Sequence, residues 1–175
     1  MISTANKEED RANALPFSEL CKVFSKVSDE SKSEKKLSLI FTDELKRILN
    51  GQSPFPVMRL VLPQLDSERR VYGMKHTTVA EFYRKALGLA KDSVDALRMT
   101  SWKDPTKHTM ARGHHTTSSI VGDLPAIIED VLKIRIPAAC STKTIGDVND
   151  ILDQLCRAAD NTVRQAVLSQ IKDVC

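Results

Sequence analysis

Apolar residues recur three and four positions apart along most of this chain, the spacing that lines one face of an α-helix. Phe17, Leu20, Cys21, Phe24 and Val27 trace a first helix, with Pro16 suited to its first turn. Leu37, Ile40, Phe41, Leu45, Ile48 and Leu49 trace a second, and Asn50-Gly51 accepts the left-handed conformation that stops it. Val57, Leu60, Val61, Leu62 and Leu65 form a third apolar run, which Pro63 must kink or interrupt. Val79, Phe82, Tyr83, Ala86 and Leu87 follow, started at Thr77 or Thr78 and ended at Gly88. Asp92 or Ser93 caps a further helix bearing Val94, Leu97, Arg98 and Trp102.

After a long break the pattern returns. Asp123 or Leu124 opens a helix with Ile127, Ile128, Val131, Leu132 and Ile134, and Pro137 closes it. Thr144 and Asp147 have the spacing of an acidic capping box, ahead of Ile145, Val148, Ile151, Leu152 and Leu155. Asn161-Thr162 starts the last helix, with Val163, Val167, Leu168, Ile171 and Val174 along one side. No segment alternates with period two, and no unit of fixed length repeats. The pattern predicts an all-α bundle of about seven or eight short helices.

Two stretches lack periodicity. Residues 1–15 read as a flexible tail, which leaves residues 16–175 as one helical domain. Lys103 to Val121 holds Pro105, Gly113, three His and a cluster of Thr and Ser, and reads as a long loop. His108, His114 and His115 lie in it, with Cys140 at a distance; nothing fixes a zinc geometry, and no metal site is expected.

Composition narrows the function classes. At 175 residues and 41% hydrophobic content, the chain suits one domain with a real core. Net charge is only +3, but it is unevenly spread. Residues 1–50 carry nine basic and nine acidic residues, residues 51–115 eleven and six, and residues 116–175 six and eight. A basic middle third is what tracking phosphates requires, and equally what solvated helix faces present. Cys21, Cys140, Cys156 and Cys175 show no CxxC spacing, and no apolar run approaches the roughly 18 residues of a membrane span. Reduced thiols, and neither secretion nor a membrane partner, are the expectation.

The densest charge lies between Met58 and Lys75, and this segment carries a resemblance. Arg59-Leu60-Val61-Leu62-Pro63-Gln64-Leu65, Glu68-Arg69 and Tyr72-Gly73-Met74-Lys75 are similar to the N-terminal DNA-binding domain of eukaryotic ATP-dependent DNA ligases, above all the DNA ligase IV branch. The same order continues through Pro16-Phe17-Ser18-Glu19-Leu20-Cys21, Asp95-Ala96-Leu97-Arg98 and Val148-Asn149-Asp150-Ile151-Leu152-Asp153. The resemblance implies non-sequence-specific DNA binding in nuclear repair of double-strand breaks by non-homologous end joining. The partner it implies is double-stranded DNA with nicks or breaks. In the full family enzyme ATP and Mg would serve the joining step, but the Lys-x-Asp-Gly that takes the adenylate is absent from residues 1–175. No catalytic residue and no cofactor are therefore expected in this chain. Family domains continue past the position of Cys175, so the domain is expected to be incomplete at its C-terminus, leaving Val163, Val167, Ile171 and Val174 as an exposed patch.

Helix starts are where DNA contact can be argued physically, because unpaired N-H groups and the positive dipole end attract phosphate. Gly122 before Asp123, Thr142-Lys143-Thr144, and Thr162 with Arg164 are the candidate DNA-binding residues. The family grips the minor groove of nicked duplex with loops and helix starts in corresponding places. Each of these starts also reads as an ordinary cap. Trp102 reads as core packing or as a platform for a base. Asp66, Glu68, Arg69 and Arg70 read as scaffold ion pairs rather than acid and base catalysts. A competing function is a protein-docking module, with Phe17, Phe24 and Phe41 of the first two helices receiving a nuclease peptide, as the family resemblance implies, or packing on each other.

Overall fold

A computed structural model describes residues 11–69, 72–104, 106, 122–135 and 142–171. They are mostly helical: nine α-helices occur among them, with a π-helical turn, a 3-10 turn and one isolated β-bridge. The chain divides into two units, Met1–Tyr72 with Cys140–Ala159 and Gln170–Cys175 in one, and Gly73–Ala139 with Asp160–Ser169 in the other.

In the first unit, helix α1 (Phe17–Asp29) leaves an extended Pro16. The Phe17 N-H donates to the Lys143 carbonyl at 2.9 Å and the Ile145 N-H to the Leu15 carbonyl at 2.8 Å, a bridge that ties two helix starts together. Helix α2 (Ser33–Ser38), a π-helical turn (Leu39–Glu44) and helix α3 (Leu45–Leu49) form one continuous run. It stops at Asn50, whose φ of 45° is the left-handed conformation that Asn tolerates. The apolar stripe expected along this run is broken. Leu45, Ile48 and Leu49 are buried, whereas Leu37 and Phe41 are exposed. A π-turn takes up more residues per turn than an α-helix, so the face before it is rotated away from the face after it.

Helix α4 (Phe55–Val61) ends before Pro63, which opens a 3-10 turn (Pro63–Leu65), as its missing donor requires. Leu65, expected in the core, is exposed because the interruption swings it outward. Helix α8 (Ile145–Arg157) packs on α4. The core joins Ala12, Leu20, Leu45, Leu49, Val57 and Ile145. Ala12 is 0% exposed and Leu15 packs beside it, so this end of the expected tail is anchored in the core, while residues 1–10 lie outside the described residues. The reason is a close approach: a Cβ at Gly146 would sit 3.0 Å from that of Asn13, so only glycine in α8 admits this segment.

The second unit is built on helix α5 (His76–Ala86), helix α6 (Val94–Thr100) and helix α7 (Leu124–Arg135), which pack pairwise. Ala80, Leu89, Ala96, Met99, Leu124, Ile127, Ile128 and Val131 make its core. Small residues at 80 and 96 let the helices approach closely. Ser93 caps α6 as the pattern predicts, accepting from the Ala96 N-H at 3.4 Å. Arg98 is 1% exposed, held by Asp130 at 2.5 Å and Asp95 at 3.5 Å. Trp102 lies beyond the end of α6, and Ile134 is exposed at the end of α7.

Helix α9 (Asn161–Ile171) begins in this unit. Of the patch expected along it, Val163 is exposed but Val167 is buried, which corrects that expectation for the described part. Pro105, the three His of the expected loop, Pro137 and Cys140 fall outside the described residues.

Candidate nucleic-acid interface

The charges that identify the Met58 to Lys75 segment turn inward. Arg59 Nε donates to Asp66 at 2.8 Å, and its Nη2 to Asp153 at 2.8 Å. Arg69 Nε donates to Asp153 at 2.7 Å, and its Nη2 to Asn149 Oδ1 at 2.9 Å. Asn149 in turn donates to the Pro56 carbonyl at 2.9 Å, so this one amide couples α4, α8 and the corner. Burial pushes the Asp66 carboxyl up, but hydrogen bonds from Arg59 and the Glu68 backbone outweigh it and hold the group below its ordinary value. At Asp153 burial is likewise outweighed, by hydrogen bonds from Arg59 and Arg69. These arginines have no freedom to meet a phosphate, and the scaffold reading of the segment holds for Arg59, Asp66 and Arg69. Glu68 is exposed, only 3.6 Å from Arg59, and Arg70 lies outside the described residues.

The candidate helix starts divide between the units. Thr142, Lys143 and Thr144 lie together in the first. Thr144 completes the expected capping box: its hydroxyl accepts from the Asp147 N-H at 3.1 Å, and its own N-H donates to Asp147 at 2.8 Å. That backbone hydrogen bond holds the Asp147 carboxyl below its ordinary value. A carboxylate already occupies this start, and the Lys143 carbonyl is taken by Phe17. Thr142 is exposed.

Gly122, Thr162 and Arg164 lie in the second unit. Gly122 has φ +95°, no atom of the described residues within 4 Å of where a Cβ would stand, and an N-H donated to the Trp102 carbonyl at 2.9 Å. Asp123 caps α7, accepting from the Ala126 N-H at 3.1 Å. Asp160 caps α9 by accepting from the N-H groups of Thr162 at 2.8 Å and Val163 at 2.9 Å. Its negative charge sits where a phosphate would have to bind. Arg164 is half-buried, with Nη1 on Asn161 Oδ1 at 3.2 Å and Nη2 beside Gly73. A Cβ at Gly73 would stand 3.1 Å from that nitrogen, so the glycine leaves room for the guanidinium.

Pattern reading did not include the start of α5 among the candidate phosphate sites. The helix begins at His76, one residue before the expected Thr77, and Lys75 at its N-cap position makes no side-chain capping bond. Thr77 lines two cavities in this unit. One, of about 660 Å³, has Lys75, His76, Trp102 and Lys103 in its wall. The other, of about 440 Å³, is walled by Thr78, Lys85, Asn161 and Thr162. Lys75, Lys85 and Lys103 make no ion pair among the described residues. Arg84, next to Lys85 in the last turn of α5, is spent on Glu81 at 2.7 Å and on the Leu89 carbonyl at 2.6 Å. A surface of exposed cations, hydroxyls and amides around an uncapped helix start is suited to phosphate oxygens. The signal for it in the sequence was the absence of a capping residue before His76.

No helix among the described residues is long and apolar enough to cross a membrane. They contain no group of three or more His, Cys, Asp or Glu placed to hold a metal ion.

Similarity to known proteins adds to this geometry. The family described as DNA ligase N terminus matches residues 16–175. DNA ligase 4 of Coprinopsis cinerea is 34% identical over 157 residues, 89% of this chain and 14% of the relative. DNA ligase 4 of Homo sapiens is 32% identical over 175 residues, 94% of this chain and 18% of the relative. DNA ligase 4 of Dictyostelium discoideum is 28% identical over 163 residues, 90% of this chain and 14% of the relative. The chain therefore spans less than a fifth of the length of these relatives, and what it covers is the ligase N-terminal domain. This all-α chain belongs to the DNA ligase N-terminal domain family.

Proposed function

We propose that this chain binds DNA without reading its sequence, as the N-terminal domain of a DNA ligase 4-like enzyme that repairs double-strand breaks by non-homologous end joining in the nucleus. The observation that carries the reading is the set of exposed Lys75, Lys85 and Lys103, which form no ion pair among the described residues and line two cavities with the hydroxyls of Thr77, Thr78 and Thr162, in a chain of this family. Lysines on exposed helix surfaces neutralise phosphates and release counterions, which gives affinity without sequence preference. Thr142 and Lys143 in the first unit and Gly122 in the second are further proposed backbone contacts. Thr144 is proposed to serve the fold as a helix cap, and Arg164 to hold the local backbone beside Gly73, neither meeting a phosphate.

Joining chemistry, with ATP and Mg, is assigned to other modules of the full enzyme, since residues 1–175 hold no Lys-x-Asp-Gly. A fluorescent nicked duplex titrated with the chain at 50 and 200 mM salt tests the reading. Affinity is expected to fall by roughly tenfold or more across that range. Absence of binding at the lower salt, or binding indifferent to salt, overturns it.

A second reading keeps one specific observation in its favour. Phe24, Leu37 and Phe41 are 36, 57 and 46% exposed, apolar area that suits a nuclease or repair-factor peptide at the first two helices. Lys75→Glu with Lys103→Glu separates the readings, since docking would survive a change that abolishes DNA binding.

A further inference from the structure

The cavity beside Trp102 has a composition that phosphate tracking alone does not require. Met74, Lys75, His76 and Thr77 enter it from the start of α5, and Thr100, Ser101, Trp102, Lys103 and Asp104 from the end of α6 and beyond, the Asp104 carboxylate accepting from the Thr106 hydroxyl at 2.7 Å. Its volume, about 660 Å³, lies within the range that holds a small ligand. The indole packs partly against the core of its unit, and its backbone carbonyl is fixed by the Gly122 N-H, so the ring is held on a rigid base. Lys103 Nζ stands 4.7 Å from the ring centroid, and the His76 ring 5.4 Å away, tilted by 41°. An aromatic surface flanked by cations in a concave wall is the arrangement that receives a base on one side and its phosphate on the other.

We infer that this cavity binds an unpaired nucleotide of a single-stranded DNA segment, its base stacked on Trp102 and its phosphate met by Lys75 and Lys103. The inference rests on the DNA-binding function proposed for the chain and goes beyond backbone contact with duplex. Lys103 is exposed and its side chain long, so it leaves the indole face when a base takes its place and turns to the phosphate. Stacking of a base on an aromatic ring outweighs an exposed cation–π contact, which gives the exchange its direction. Base identity is not read, because every base offers a π-face.

Trp102 is the single tryptophan of the chain, so its fluorescence reports this site alone. The test titrates the whole chain with an oligothymidine octamer, with an abasic octamer of equal charge, and with a labelled blunt duplex followed by anisotropy. The thymidine octamer is expected to quench Trp102 emission by about half, the abasic octamer to leave it unchanged, and His76→Ala with Lys103→Ala to weaken octamer binding about tenfold. Equal quenching by both octamers, or none by the thymidine octamer while the duplex binds, overturns the nucleotide site and leaves DNA binding standing. Failure of all three ligands to bind overturns both.

Discussion

The corner at Arg59 to Arg69 and the start of α5 are both rich in cations, and they use them in opposite ways. In the corner, Arg59, Asp66, Arg69 and Asp153 have side chains 12, 5, 1 and 18% exposed, each bonded to another member of the set. At the start of α5, Lys75 and Lys103 are exposed and form no ion pair among the described residues, and Lys85 is exposed in the last turn of the same helix. Charge density along a sequence therefore does not locate a polyanion surface. What locates it is charge left unpaired after folding, because a buried guanidinium that loses its carboxylate is costly while an exposed ammonium gives up little by exchanging water for phosphate.

The largest expected effect breaks the corner. Arg69→Ala leaves Asp153 with Arg59 alone and Asn149 Oδ1 without its buried donor, and should cost about 3–5 kcal/mol in a urea melt. If the variant melts like the parent and loses DNA affinity instead, the roles of the two regions are exchanged. Acid acts on the same bonds. Asp66 and Asp153 have folded-state values lowered from the ordinary 3.8, so their contribution is present above that pH and is lost as pH falls through the lowered values. The urea midpoint should therefore drop below about pH 4, and Asp153→Asn should flatten that dependence. A parallel pH curve for the variant would remove Asp153 from the account.

The opposite change sharpens the comparison from the other side. Lys75→Glu with Lys103→Glu should weaken binding to a nicked duplex about tenfold or more at low salt and reduce the salt slope by about two. Stability should stay within about 0.5 kcal/mol, since both side chains are at the surface. A melt that shifts as far as the affinity does would mean these lysines hold the fold. The smallest effect concerns Thr144. Thr144→Ala should cost about 1 kcal/mol from the lost cap and leave salt-dependent DNA affinity unchanged, and a selective loss of affinity would restore its hydroxyl as a phosphate contact.

Helical periodicity carried most of the first unit because each signal acts locally. Asn50 accepts a left-handed φ, Pro63 lacks a donor, and Thr144 with Asp147 closes a box within one turn. The same pattern misplaced Phe41 and Leu37, since a π-turn between two halves of a stripe leaves no mark in apolar spacing. It also missed the packing of Ala12, a residue too small to show a pattern, whose burial depends on Gly146 far along the chain.

The candidate site divides along the same line. That a start at residues 142–144 or near 162 exists was legible in Thr144, Asn161 and Thr162; that Asp147 and Asp160 already occupy the amides needed hydrogen-bond geometry. The α5 start was expected at Thr77 or Thr78 but not weighed as a phosphate site, because Lys75 and His76 are not capping residues and a missing cap is a weaker mark than a present one.

By itself, then, the sequence determined the helical class, the helix stops and the family, because each rests on residue types and spacings that act over a few positions. The tertiary structure alone decided which charges are spent and which are available. Arg69 and Asp153 are 84 positions apart, and only folding brings them within 2.7 Å and so removes them from the solvent-facing charge.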